Sequence, residues 1–246
     1  MHKTKVILAT EIILLSLIAI FLYSHLFIHE IDVKTSDLMK TVIEPIDSIV
    51  SIAPDERHIS VNIEINEDFR ESFVHGDKDW MYQKYIVLHD TEDNSNAESI
   101  INWWDSNGKG VATHFIINKD GSIFQCVPLN KIAHHVGYGD TGNNRKYGVE
   151  DESRDDKIGT GDPGEGVTDY GMNSYSVGIE LVHVGGEGDY PERQLESLDK
   201  LIEYIDAYYG FKSEIIDHKE WRAGNSDTSP EFKQYLTNYR KSRRHR

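Results

Sequence analysis

Hydrophobic positions along the 246-residue chain fall into blocks of different period. From Val6 to Ile28 they run almost unbroken, "VILATEIILLSLIAIFLYSHLFI". From Lys84 onward, short apolar runs of strand length alternate with stretches at helical spacing. "KYIVLH" at 84–89 predicts a strand that ends abruptly in His89, Asp90, Thr91 and Glu92, four residues poorly suited to a core. "NSNAESIINWWDSNG" predicts a helix capped by Asn94 or Ser95, with Ile100, Ile101, Trp103 and Trp104 inward and Gly108 past its end. "THFIINKDGSIFQCV" reads as a hairpin turning at Lys119-Asp120-Gly121. "SVGIELVHV" returns to strand, and "PERQLESLDKLIEYIDAYYG" predicts a long helix with Pro191 in its first turn and Gly210 at its end. Its apolar stripe is Leu195, Leu198, Leu201, Ile202, Ile205 and Tyr209. "EIID" is a last strand, followed by a terminal helix opened by Ser229-Pro230-Glu231. Strands and helices that alternate, with at least one hairpin among them, predict an α/β fold: a mixed central β-sheet flanked by helices.

The N-terminal run is long enough to span about 30 Å of hydrocarbon as a helix. Glu11 lies near its start, and "LYSHLFIHE" offers no small-residue cleavage site, so residues 6–28 are expected to be an uncleaved transmembrane signal anchor. Lys3 and Lys5 favour a cytoplasmic N-terminus at residues 1–5, against weak opposition from Lys34 and Lys40. Residues 29–79 read as a stalk and N-terminal extension, in which the alternating run "HISVNIEI" fits an edge strand. The main domain is expected at 80–240, interrupted by an acidic, glycine-rich insertion at 143–172 that is too polar for a core and reads as a mobile surface loop. Its aspartates lack the spacing of a calcium loop. Residues 241–246 are a basic tail, read as solvated and frayed rather than as a contact for an anionic partner.

A hydrophobic fraction of 38% against 28% charged suits one core of ordinary size. The formal charge of −16 argues against a nucleic-acid partner, which clustered Lys and Arg would be needed to hold. Cys126 is the single cysteine, which excludes an internal disulfide and a cysteine-rich metal site, and it reads as a small buried apolar residue.

The chemistry concentrates at strand ends. His89 closes one strand, His218 follows another, and Asp227 comes nine residues later in a loop marked by Gly224 and Pro230. Two imidazoles and a carboxylate are ligands that zinc accepts, and three protein ligands with a free fourth position make a catalytic site. Singly, each residue also fits a structural role, as a hydrogen-bonded histidine or a turn aspartate. Glu180 lies between Ile179 and Leu181, where an unpaired carboxylate is costly unless a nearby charge compensates it; a strand at the sheet margin, with Glu180 pointing to solvent, is the alternative.

Seven blocks, "IVLHDTE", "ATHFIINKDGSIFQCVP", "AHHVG", "NSYSVGIELV", "YPERQLESLDKLIEYI", "IIDHKEW" and "NSDTSPEF", resemble in order the type 2 N-acetylmuramoyl-L-alanine amidases, whose fold is that of peptidoglycan recognition proteins. The resemblance runs from about Tyr85 to Phe232. It implies Zn2+ as cofactor, held by His89, His218 and Asp227, with Glu180 as general base. It implies hydrolysis of the amide joining the lactyl group of N-acetylmuramic acid to L-alanine of the stem peptide. Thr113, His114 and His135 match positions bordering the substrate, although His114 also fits a packed strand residue and His134 an exposed neighbour of His135. One departure is Asn225, which stands where the family often has a lysine that stabilises the tetrahedral intermediate; an amide still donates a hydrogen bond there.

Three functions follow as expectations. The first is a zinc-dependent amidase acting on peptidoglycan or muropeptides, membrane-anchored by a single pass with its catalytic domain on the periplasmic or extracellular side. The second is a non-catalytic peptidoglycan-binding module of the same fold, which Asn225 keeps open. The third is an anchored scaffold whose acidic insertion recruits a basic partner.

Overall fold

A computed structural model describes residues 61–246. The expected membrane anchor at 6–28 and the first part of the stalk lie outside the described residues; among those described, no helix is long and apolar enough to cross a membrane.

Among the described residues, six strands form one sheet: β1 (Asn66–Glu67), β2 (Tyr85–Asp90), β3 (Phe115–Ile117), β4 (Ile123–Gln125), β5 (Ser176–Leu181) and β6 (Glu214–Asp217). Their order is β1-β4-β3-β5-β2-β6. The hairpin β3–β4 is antiparallel, and every other pairing is parallel. The mixed sheet expected from the alternation of elements is therefore present. Gly121, at φ +90°, makes the hairpin turn with its N–H on Asn118 O at 2.9 Å. The edge strand falls just beyond the alternating run that suggested it, because Asn66 and Glu67 are the residues in register with Phe124 and Gln125, while Ile63 and Ile65 pack on the core.

Among the described residues, five helices of α type accompany the sheet: α1 (Ala97–Ser106), α2 (Asn143–Tyr147), α3 (Glu192–Tyr209), α4 (His218–Trp221) and α5 (Lys233–Ser242). All six residues of the α3 stripe are buried against Ile86, Leu88, Val177, Ile179 and Leu181. Each such side chain contributes roughly 1.5–3 kcal/mol on removal from water. The αL residue Gly210 ends α3. On the opposite face, Ile100 and Ile101 of α1 cover Ile116 and Val127, and a third cluster joins Val87, Val136, Met172 and Trp221.

Four local expectations differ from what is found. The α1 cap is Asn96, which accepts Ser99 N–H at 3.0 Å, because Asn94 is turned to Glu187 and the Ser95 N–H is held by Asp93. Trp103 is 63% exposed; only Trp104 turns inward, edge-on to Phe73. The insertion is packed rather than loose. It carries α2, buries Val149, Asp155 and Met172, and lays the Arg154 guanidinium 3.4 Å from the Tyr82 ring centre. The basic tail is docked along the acidic side of α3: Arg243 pairs with Asp206, Arg244 with Glu203, and the buried His245 with Asp199 at 2.9 Å. Opposite charges on one neighbouring helix explain why it is neither frayed nor free for an anionic partner.

Candidate active site

Side chains alternate across a strand. With Ile86 and Leu88 of β2 turned to α3, His89 faces the other side; with Val177, Ile179 and Leu181 of β5 also turned to α3, Ser176, Gly178 and Glu180 share that side with it. The parallel register sets His89 directly opposite Glu180. β5 is an inner strand, so Glu180 is buried rather than marginal. His218 enters from β6 as the first residue of α4, a turn capped by Asp217, whose carboxylate accepts Glu220 N–H at 3.2 Å. Asp227 arrives on the loop that follows α4. Its Oδ2 lies 2.9 Å from Nδ1 of both His89 and His218, and its Oδ1 accepts the Asp90 N–H at 2.8 Å. One ligand atom from each of the three residues lies within 4.8 Å of the other two.

A chain of hydrogen bonds decides which ring nitrogens carry protons. Ser176 Oγ donates to Met172 O (2.7 Å), so it accepts from His135 Nε2 (3.0 Å). The lone pair left on His135 Nδ1 accepts from His89 Nε2 at 3.0 Å. His89 Nδ1 therefore presents a lone pair to the Asp227 carboxylate. His218 Nε2 is approached by Val136 O at 2.9 Å and by Asn225 Nδ2 at 3.1 Å; the nearer carbonyl takes its proton, leaving a second Nδ1 lone pair on the same oxygen. Two lone pairs facing a carboxylate oxygen are unfavourable unless a proton or a cation joins them. Burial, which disfavours the protonated ring, holds His89 below its ordinary pKa even though the field of Asp227 works to raise it. For Asp227 burial works the other way, but the field of His89 and the contacts with both rings hold its carboxyl below the ordinary range. The donor set thus fits a divalent cation.

Burial, with the fields of Asp227, Asp90 and Glu92 added, raises the Glu180 carboxyl well above its ordinary range. His135 is buried and held well below 6.5 by that burial and by neighbouring imidazoles, His89 first. Gly178 makes room for its ring, since a Cβ there would fall 2.6 Å from two of its atoms.

The structure thus brings His89, His218, Asp227, Glu180, His135 and Asn225 together. Thr113 stands apart, while His114 lies behind His135, the two rings edge-on with centres 5.8 Å apart. Thr113 Oγ1 donates to Phe115 O at 2.8 Å, and His114 is fully buried between Lys131 O and the Gly178 N–H. His134, expected at the surface, is 3% exposed. Cys126 is buried and its thiol is pushed up by burial, as befits a core residue. Sequence reasoning missed Asp90, whose Oδ2 accepts from Tyr190 OH at 2.5 Å and Ser229 N–H at 2.6 Å, and Ser176, which anchors the histidine chain. Asp90 carried one legible signal: alternation puts it on the face opposite His89, where a carboxylate needs partners.

Two clefts border the cluster. One, of about 450 Å³, runs from Glu180 between Glu92, Ser99, Trp103 and Trp104. The other, of about 330 Å³, is bounded by His218, His135, Arg222, Tyr138, Tyr170 and the glycines of the insertion.

The fold and ligand set define a mixed α/β protein with a candidate metal centre at the carboxyl ends of three parallel strands. The N-acetylmuramoyl-L-alanine amidase family profile matches residues 79–231, more than half of the chain, and the chain belongs to that family. Among curated relatives, it is 33% identical over 72 residues to the N-acetylmuramoyl-L-alanine amidase CwlA of Bacillus subtilis (strain 168), covering 28% of this chain and 26% of the relative. It is 33% identical over 72 residues to the N-acetylmuramoyl-L-alanine amidase XlyB of the same strain, covering 28% of this chain and 22% of that relative. The chain therefore spans about a quarter of the length of these curated relatives. A solved structure, the endolysin N-acetylmuramoyl-L-alanine amidase LysCS from Clostridium intestinale URNW, is similar with a TM-score of 0.48 at 19% identity, covering 70% of this chain and 91% of that one.

Proposed function

We propose that this protein is a zinc-dependent N-acetylmuramoyl-L-alanine amidase that hydrolyses the amide between the lactyl group of N-acetylmuramic acid and L-alanine in peptidoglycan. The observation that carries the proposal is the meeting of His89, His218 and Asp227 around one point beside the buried Glu180. His89 Nδ1, His218 Nδ1 and Asp227 Oδ2 would hold the ion. Zinc, when bound, supplies a Lewis acid that polarises a carbonyl and acidifies water. Glu180, a stronger base in its buried setting than in water, takes a proton from the attacking water and delivers it to the departing alanine nitrogen. The C–N bond breaks as the new C–O bond is kept, leaving a lactyl carboxylic acid and a free amine. His135 and Ser176 hold His89 in the tautomer that leaves Nδ1 free. Asn225 borders the site through His218 and brings an amide where a cation would add charge to the oxyanion side. We place this domain on the cell-wall side of a membrane, tethered through the apolar run at 6–28.

The test is to incubate the full-length protein with purified peptidoglycan and zinc and to identify the released material by mass spectrometry. Stem peptides with a free L-alanine amine are expected. Released sugars with intact peptides overturn the assignment. Binding to peptidoglycan without release favours the second reading, a recognition module, which the uncharged Asn225 supports.

A further inference from the structure

A second group of metal-ligating side chains lies outside the cluster at His89. His75, in the segment before β2, His134, in the loop after β4, and Asp156, in the acidic insertion, bring one ligand atom each within 4.8 Å of the others. They are drawn from three segments far apart in sequence, 81 residues separating His75 from Asp156.

The hydrogen bonds repeat the logic of the first cluster. His75 Nε2 lies 2.7 Å from Gly110 O, which only an N–H satisfies, so its Nδ1 carries the lone pair. That Nδ1 faces Asp156 Oδ1 at 2.9 Å, an acceptor against an acceptor. His134 Nε2 lies 2.7 Å from Asp155 Oδ1, which likewise places its proton there and leaves Nδ1 free. The two rings are stacked with centres 3.3 Å apart and planes within 6°. A separate observation lies beside them: Asp155 has a fully buried side chain, and its Oδ2 has no partner at all. A carboxyl group bonded to the far nitrogen of a histidine whose other nitrogen is free is the arrangement that orients a metal-binding imidazole.

We propose that His75, His134 and Asp156 form a second divalent-cation site, of the zinc class, that staples the acidic insertion to the body of the domain. Two imidazoles among three donors favour a borderline ion such as zinc over calcium or magnesium, which take oxygen ligands. The site is structural, not catalytic. His134 and the insertion residues Gly159, Thr160, Gly161 and Tyr170 line the 330 Å³ cleft that reaches His218, so fixing Asp156 also fixes that cleft's outer wall. The inference does not depend on the amidase reading, because it concerns different ligands and a different readout.

The experiment uses the full-length chain in mild detergent, stripped with a chelator and dialysed against zinc, with bound metal counted by mass spectrometry of the metal. The wild type is expected to hold two equivalents. Asp156→Asn, at a side chain 37% exposed whose Oδ1 also accepts the Ile158 N–H, and His134→Gln should each hold one, and Asp227→Asn should hold the other one. Limited proteolysis within residues 150–168 should be at least tenfold faster in Asp156→Asn than in wild type when both are zinc-loaded, and equal when both are stripped. One equivalent in wild type, lost in Asp227→Asn, overturns the site. Two equivalents retained in both Asp156→Asn and His134→Gln overturn it equally.

Discussion

His89 and Glu180 face one another across neighbouring parallel strands, the last pair but one in a six-residue register that starts at Tyr85 and Ser176. The pairing places an imidazole and a buried carboxylate on one side of the sheet without any loop having to deliver them. If Glu180 serves as base and not as ligand, Glu180→Gln keeps zinc stoichiometry and lowers kcat by about 10²–10⁴, the usual range for general acid–base groups. Steady-state kinetics on muropeptides together with metal analysis check both halves. Normal turnover in this variant would show that another group moves the proton.

Zinc should act on stability through Asp227. An ion bound by the folded chain alone adds about 2.7 kcal/mol at one hundred times its dissociation constant. Thermal unfolding of wild type is expected to shift upward on zinc addition, and Asp227→Asn should lose the part of that shift due to its own site. Equal shifts in the two proteins would remove Asp227 from the ligand set.

Much of the fold and of the candidate metal cluster is legible in the sequence. The α3 stripe is readable because six apolar residues at helical spacing have one way to be buried, and β2 and β5 because runs such as "YIVL" and "SVGI" suit inner strands. His89, His218 and Asp227 are readable as candidates from residue type and strand-end position. Which of Asn94, Ser95 and Asn96 caps α1 is not, since all three are capping residues and only the preceding turn decides. The docked tail is hidden because pairing Arg243 with Asp206 is a tertiary event between segments 37 residues apart. His75 stays invisible for a related reason: one histidine in a polar segment carries no signal until Gly110, His134 and Asp156 close around it.

The histidine chain makes Ser176 a positioning residue. Ser176→Ala removes the acceptor for His135 Nε2, so His135 can turn its proton to Nδ1 and cease to accept from His89. Outer hydrogen-bond partners of metal ligands are typically worth about 10–100-fold in affinity. Competition against a fluorescent zinc chelator should show a weakening of that order at the first site, and Ser176→Thr, which keeps the hydroxyl, should recover part of it. Unchanged affinity in Ser176→Ala would mean that His89 needs no such anchor.

Gly178 tests the same chain by sterics. A Cβ at this position would lie 2.6 Å from His135 Cγ and Nδ1, and a strand backbone cannot shift to relieve it without breaking the register with β2 and β3. Gly178→Ala should cost about 1–3 kcal/mol of stability, the usual range for overpacking. Because the displaced ring is the one that holds His89, zinc affinity should fall as well. A variant with lower melting temperature and unaltered zinc binding would separate His135 from the metal centre.

Beneath the cluster, His183 makes stability depend on pH. Asp90 Oδ2 accepts from Tyr190 and Ser229 and lies 3.6 Å from His183 Nδ1, whose own ring is stacked on Tyr190. Burial works to lower His183, but the neighbouring Asp90 carboxylate and the contact of its Nε2 with Gly188 O outweigh that, and the net shift is upward from the ordinary value, with Nδ1 held 2.8 Å from Ser229 Oγ. A group with a raised folded-state pKa contributes stability that is fully present below its unfolded value and is lost as pH rises through the folded one. The stability difference between wild type and His183→Gln should therefore be larger at about pH 6 than at about pH 8, on either side of the unperturbed histidine value, as read from chemical denaturation at each pH. A gap that stays constant, or grows toward the alkaline side, would show that His183 is not charged in the folded protein and that Asp90 is held by Tyr190 and Ser229 alone.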